Sequence, residues 1–170
     1  GAGGAIVAWY DGRSGTDDIY AQRVDASGAV QWTANGVAIC TASGGQILPR
    51  MIPDGAGGAI IVWQDNRVAS ANDLYAQRVN ASGTVLWNTN GSAVCTAAGN
   101  QSYFKLASNG AGGAIVTWVD GRSGGTDIYA QRVSLYGGPE LTADGIPVCS
   151  ALSFKTAPDI FVPTAFTPNG

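Results

Sequence analysis

The chain of 170 residues is 45% hydrophobic and only 12% charged, with a net charge of −3 and no histidine. That balance excludes a charge-driven disordered chain, and the length suffices for a buried core. The nine cations, seven of them arginine, are scattered rather than clustered, which argues against nucleic acid as a partner; no apolar run approaches the ~20 residues of a membrane helix.

The first segment, GAGGAIVAWYD (1–11), is a glycine-rich turn followed by a continuous apolar run of strand length. Such a run is predicted to be buried on both faces. The next, DIYAQRVD (18–25), alternates: Ile19, Ala21 and Arg23 point one way, Tyr20, Gln22 and Val24 the other. Asp25-Ala-Ser-Gly28 marks a tight hairpin turn. AVQWTANGVAIC (29–40) reads as a third strand broken at Asn35-Gly36, and ILPRMIPDG (47–55) as a short strand ending in a turn.

The cycle then begins again. GAGGA starts at Gly1, Gly55 and Gly110, a period of 54 to 55 residues. Trp9, Trp63 and Trp118 correspond, as do Tyr20, Tyr75 and Tyr129, and Cys40, Cys95 and Cys149. No segment favours the i, i+3, i+4 spacing of a helix over alternation, and 25 glycines suit many short strands. Four strands per repeat predict an all-β fold of consecutive four-stranded antiparallel blades of a β-propeller, with a sandwich as the alternative. The blades span 1–54 (lacking its first strand), 55–109 and 110–159, with a linker at 160–170. Three blades make an incomplete ring, since propellers close with roughly four to eight. The ring is completed by a longer chain or by paired chains, or the sheets stand in an open arc. The opening inside a repeat reads as a start cut from something longer. Near the end, SFKTAPD (153–159) is matched to YFKLASN (103–109) as a last leading strand.

Each copy carries two Asp and two Arg at fixed places: Asp11, Arg13, Asp18 and Arg23; Asp65, Arg67, Asp73 and Arg78; Asp120, Arg122, Asp127 and Arg132. These twelve are more than half of the charged residues. Charges that recur in every copy predict a structural ion-pair network, because a catalytic centre breaks such symmetry; Arg suits the role through its planar fork. The competing reading is an arginine cluster that binds a carboxylate ligand. Without histidine there is no Ser–His–Asp triad and no His-ligated metal. Glu140 is the only glutamate, so no carboxylate pair for glycoside hydrolysis stands out. The loop GRSGTDD lacks the alternating oxygen spacing of a calcium site. Neither catalytic residue, metal nor cofactor is expected. One cysteine per copy, without C-x-x-C, reads as buried free thiol. Trp32 and Trp87 are lost in copy three, which has Glu140-Leu141 there. That lapse marks a partly exposed position, either edge packing or possible ligand stacking of a sugar.

The unit W-x-D-x-R…D-[IL]-Y-A-Q-R-V resembles a repeat common in large secreted proteins of the Bacteroidota and related bacteria, taken as propeller blades. The resemblance covers residues 1–159. Copy three departs from it at SLYGGPELTADG, where the ASG hairpin and second Trp are lost. The tail DIFVPTAFTPNG is similar to the opening of the C-terminal sorting domain of type IX secretion substrates, the gliding-motility-associated kind, with Val162, Pro163, Phe166 and Pro168 as the start of the sorting signal. These resemblances imply an extracellular or outer-membrane-associated cell-surface protein of a Gram-negative bacterium, with the type IX machinery as a partner. The function they imply is non-enzymatic presentation of a glycan- or protein-binding surface; the alternatives are part of a sialidase-like or other glycoside hydrolase propeller, or a passive spacer.

Overall fold

The structure, a computed structural model, describes residues 3–68, 71–151 and 153–161; the proposed sorting-signal residues Val162, Pro163, Phe166 and Pro168 lie outside these. The fold is all-β, with three antiparallel sheets and no helix among the described residues. None of the sheets closes into a barrel. Sheet one holds β1 (Ala5–Asp11), β2 (Asp18–Val24) and β3 (Val37–Cys40) in that order. Sheet two runs β4 (Gln46–Pro53), β5 (Ala59–Asp65), β6 (Asp73–Val79) and β7 (Ser92–Cys95). Sheet three repeats this with β8 (Gln101–Ser108), β9 (Ala114–Asp120), β10 (Asp127–Val133) and β11 (Ile146–Cys149). Each leading strand, β4 or β8, pairs with the strand that follows its GAGGA turn. The sheets therefore run 46–95 and 101–149, offset from the repeat boundaries at 55 and 110.

The sheets pack face to face. In β5, Ile60 and Val62 point into a core shared with Ala114, Val116 and Trp118 of sheet three. The alternate residues Ala59, Ile61 and Trp63 join Ile19, Ala21 and Cys40 of sheet one. A strand covered on both faces has no polar side to keep, which is why this stretch is continuously apolar. Burying each of its large residues stabilises by ~1.5–3 kcal/mol relative to exposure. The same pattern in β1 has a different outcome: it is not buried on both faces, because no sheet among the described residues covers its outer side, and Val7 stays 48% exposed.

The third strand is shorter than the sequence pattern. Residues 30, 85 and 139 make isolated bridges, and regular pairing resumes after Asn35-Gly36, Asn90-Gly91 and Asp144-Gly145, all at positive φ. The hairpin of copy three is retained despite the lost ASG. Ser134 Oγ accepts from the N–H groups of Tyr136 and Gly138, as Asp25 and Asn80 carboxyl or amide oxygens do in the earlier turns. The segment 153–161 forms no strand, and its match to residues 103–109 is also corrected. The Lys155 N–H meets Thr126 Oγ1 at 2.7 Å, at the place where Gln46 N–H meets the Asp17 carbonyl and Gln101 N–H the Asn72 carbonyl. Lys155 therefore corresponds to Gln101, not Lys105.

Candidate functional site

Strand alternation puts Trp9 and Asp11 on one side of β1, Arg13 follows in the turn and reaches back to Asp11, and the register Trp9↔Tyr20 brings in a tyrosine from β2. The same four-residue unit recurs as Trp63, Asp65, Arg67 and Tyr75, and as Trp118, Asp120, Arg122 and Tyr129. In sheet two, Asp65 accepts from Trp63 Nε1 at 2.8 Å, Arg67 N at 2.9 Å, Arg67 Nε at 2.8 Å and Arg67 Nη2 at 2.6 Å. The guanidinium carbon lies 3.6 Å from the centre of the Tyr75 ring, a cation–π contact. Sheet three repeats these distances closely, with the Arg122 guanidinium 3.9 Å from the Tyr129 centroid. In sheet one Arg13 pairs with Asp11 through one nitrogen and stacks on Tyr20 at 4.0 Å.

The fork has a second task. Arg67 Nη2 donates to the Asn90 carbonyl at 2.8 Å, and Arg122 Nη2 to the Asp144 carbonyl at 2.8 Å. It thereby holds the positive-φ turn that lays Gly91 or Gly145 on the tryptophan ring. A Cβ on Gly91 would sit 2.5 Å from Trp63 Cη2, so only glycine fits. The same nitrogens reach the thiols of the preceding sheet, Arg67 to Cys40 Sγ at 3.5 Å and Arg122 to Cys95 Sγ at 3.2 Å.

Protonation follows from these contacts. Hydrogen bonds from Arg13 and Trp9 hold the Asp11 carboxyl well below the usual carboxylate range. Burial opposes ionisation of Asp120, but the bonds from Arg122 and Trp118 outweigh it and keep its pKa low. Asp73, opposite Asp65 in the ladder, moves the other way, raised by burial and then by the Asp65 charge. Burial pushes the Cys40 thiol up to about 11 and Cys95 up to about 12. Both are buried free thiols; Cys149, with no sheet against it among the described residues, is exposed.

The other predicted charges do not join these units. Asp18 and Asp127 accept from the loop hydroxyls of Ser14 and Ser123, and Asp127 also pairs with Lys155 at 3.2 Å. Arg23 donates to the Ala81 carbonyl across the sheet junction. Arg78 pairs with Asp54 at 2.9 Å, and Arg132 with Glu140 at 2.6 Å. Trp32 and Trp87 serve the junctions. Their indole nitrogens donate to the Ala81 and Leu135 carbonyls of the following hairpin, and Gly83 and Gly137 lie on the rings. At 9% exposure Trp32 has no open face for a sugar, which corrects the stacking expectation for that residue; Trp87 is half-buried.

Sequence reasoning missed two features. Gln22, Gln77 and Gln131 are buried polar residues whose amide oxygen and nitrogen both have partners. Each donates to a carbonyl in the loop toward the last strand and accepts two backbone N–H groups, as Gln77 does with Asn88, Arg78 and Trp87. The invariance of A-Q-R-V across the copies was the available signal.

The second is a cleft of about 510 Å³ between the leading strands β4 and β8, lined by Leu48, Arg50, Gln64, Asn72, Tyr103 and Phe104 among others. Register shifts at Ile47/Arg50 and Ser102/Lys105 mark bulges in both strands. They force Leu48 and Tyr103 to positive φ, 55° and 49°. Non-glycine residues there are strained and cluster at working sites. The result is a 69% exposed tyrosine ring beside an arginine and three side-chain amides, those of Gln64, Asn72 and Asn100. No sequence signal announced it, because neither bulge carries a glycine.

Among the described residues no group of three or more His, Cys, Asp or Glu is arranged to hold a metal. None has a helix long and apolar enough to cross a membrane. No known family model matches the chain, and no curated protein is significantly similar to it.

Proposed function

We propose that this chain is a run of β-propeller blades from a secreted or cell-surface protein exported by the type IX route, and that it binds glycans without catalysing their cleavage. What supports the blade reading is the face-to-face stacking of successive three- and four-stranded antiparallel sheets through one repeated junction. What supports binding over catalysis is the fate of the charges. The recurring Asp–Arg units spend their donors within their own sheet and its junction, and do not converge on one centre.

The single observation that carries the glycan reading is the cleft between β4 and β8. Tyr103 offers an exposed ring on which a sugar face stacks. Arg50, Gln64, Asn72 and Asn100 supply the hydrogen-bonding groups that fix hydroxyls and carboxylates. The test is a glycan array with the intact chain, followed by calorimetry on any hit. Tyr103→Ala and Arg50→Ala are expected to weaken binding by about tenfold or more each, as loss of a central aromatic or Arg contact does. An array without binders, or hits indifferent to both substitutions, overturns the reading. Export is tested separately, by deleting the residues after Asp159 and measuring secretion.

A further inference from the structure

The cleft between β4 and β8 is unbalanced in its hydrogen-bonding groups. Arg50 pairs with Val62, whose side chain faces sheet three, so the guanidinium stands on the cleft side. Its carbon lies 5.9 Å from the centroid of the buried Phe104 ring. That cation–π contact steers the fork but uses none of its five N–H donors. The three amides are each half spent. Gln64 Nε2 donates to the Gln101 carbonyl at 2.8 Å, which leaves the Gln64 oxygen for a ligand. Asn100 Oδ1 accepts the Asn72 N–H at 3.0 Å, and Asn72 Oδ1 accepts from Asn66 Nδ2 at 3.4 Å. Those bonds fix the orientation of both amides, and among the described residues neither Asn72 Nδ2 nor Asn100 Nδ2 has an acceptor. Charge sharpens the imbalance. All twelve acids lie among the described residues, and none lines the cleft. Six of the nine cations stand in ion pairs with them. Arg50 stands in none, and neither does Lys105, at the matching place in β8.

We propose that this cleft selects acidic glycans, holding a uronate residue with its carboxylate on Arg50 and its ring face over Tyr103. The proposal rests on the glycan reading above and names the class of sugar within it. A neutral sugar offers donors and acceptors together through its hydroxyls, and leaves the guanidinium without a mate. A carboxylate is acceptor-only, and its two oxygens match the planar fork. Asn72 Nδ2 and Asn100 Nδ2 then donate to ring hydroxyls, and Gln64 Oε1 accepts from one. A single guanidinium balances the one charge of a carboxylate, not the nearly two of a phosphate monoester. The volume of about 510 Å³ falls within the roughly 300–1,000 Å³ of sites that enclose an organic ligand, so a small inorganic anion leaves most of it unfilled.

The test is calorimetry on the intact chain with short oligomers of galacturonate, glucuronate and mannuronate, each beside its methyl ester, and with a sulfated dextran oligomer. Esterification removes the charge and keeps the ring and its hydroxyls. At least one uronate is expected to bind about tenfold to a hundredfold tighter than its own ester, an advantage that shrinks as salt is added. Arg50→Gln should abolish that preference with the urea midpoint unchanged, because Arg50 holds no ion pair of the fold. Tyr103→Ala should weaken acid and ester alike. Equal affinity for acid and ester, a preference that survives Arg50→Gln, or tighter binding of the sulfated oligomer than of every uronate overturns this proposal and leaves the glycan reading standing. Binding to no glycan, charged or neutral, overturns both.

Discussion

Arg67→Ala and Arg13→Ala remove the same residue from the same four-residue unit, yet the structure predicts very different costs. The Asp65 side chain is 0% exposed and Arg67 20%, whereas Asp11 and Arg13 are 23% and 37% exposed. Truncating Arg67 strips Asp65 of the 2.6 Å and 2.8 Å charge-assisted bonds and leaves it the Trp63 indole, one backbone N–H and the Cys40 thiol at 4.0 Å. It also leaves the Asn90 carbonyl with the Cys40 thiol in place of a guanidinium donor and uncovers the Tyr75 ring. Removing one partner of a buried pair costs ~3–5 kcal/mol. Taking a urea slope near 2 kcal/mol per molar, the midpoint falls by ~1.5–2.5 M. Arg13→Ala, on the open side of sheet one, leaves the midpoint nearly unchanged, because solvent replaces the lost partner. The assay is urea unfolding followed by tryptophan fluorescence, with slopes compared to confirm that only stability changed. Equal midpoint losses for the two variants refute the claim that stacking of the sheets gives this unit its weight.

Three further outcomes follow. The carboxyls of Asp54 and Asp120 are held below their ordinary range, so their stabilisation is present above the unfolded value of ~3.9 and is lost as pH falls through the lower folded values. Urea midpoints should be flat from neutrality to about pH 5 and fall below about pH 4; Asp54→Asn should shrink that acid slope while keeping the turn, since Asn109 holds the matching turn in copy three. Ellman's reagent should titrate one thiol per native chain, Cys149, and all three only in denaturant; Cys149→Ser should abolish the native reaction. Gly91→Ala should cost ~2–5 kcal/mol from positive φ plus overlap with Trp63, whereas Gly124→Ala, with open space around its Cβ, should cost only the conformational part of ~1–2 kcal/mol.

The repeat made most of the architecture readable. Three aligned tryptophans, tyrosines and cysteines located strand-forming segments, and alternation in D-I-Y-A-Q-R-V placed Ile19 and Ala21 on one side, which the structure buries. Residue identity did not reveal burial, because burial here depends on whether a neighbouring sheet is present. Val7 and Ile61 occupy equivalent strand positions, but one is 48% exposed and the other 0%. Nor did it separate the roles of the recurring charges. Asp11 and Asp18 face each other across a hairpin, but the Arg13 fork reaches only the former, and that geometry is set by the turn at Gly12. The cleft between β4 and β8 was invisible because its bulges place ordinary residues, Leu48 and Tyr103, in a backbone conformation that no local preference announces. The register of Lys155 needed the hydrogen bond to Thr126; resemblance to Phe104-Lys105 pointed four residues astray.

Exchange of the five indole N–H protons, followed by NMR, tests the stacked-sheet account most directly. Trp32 and Trp87 find their acceptors only across a junction, at the Ala81 and Leu135 carbonyls, while Trp63 and Trp118 donate to buried aspartates. All four should be strongly protected, with Trp9 on the open side exchanging fastest. Exchange of the Trp32 and Trp87 protons at the rate of a free indole, with Trp63 and Trp118 still protected, would mean that the sheets form but do not stack.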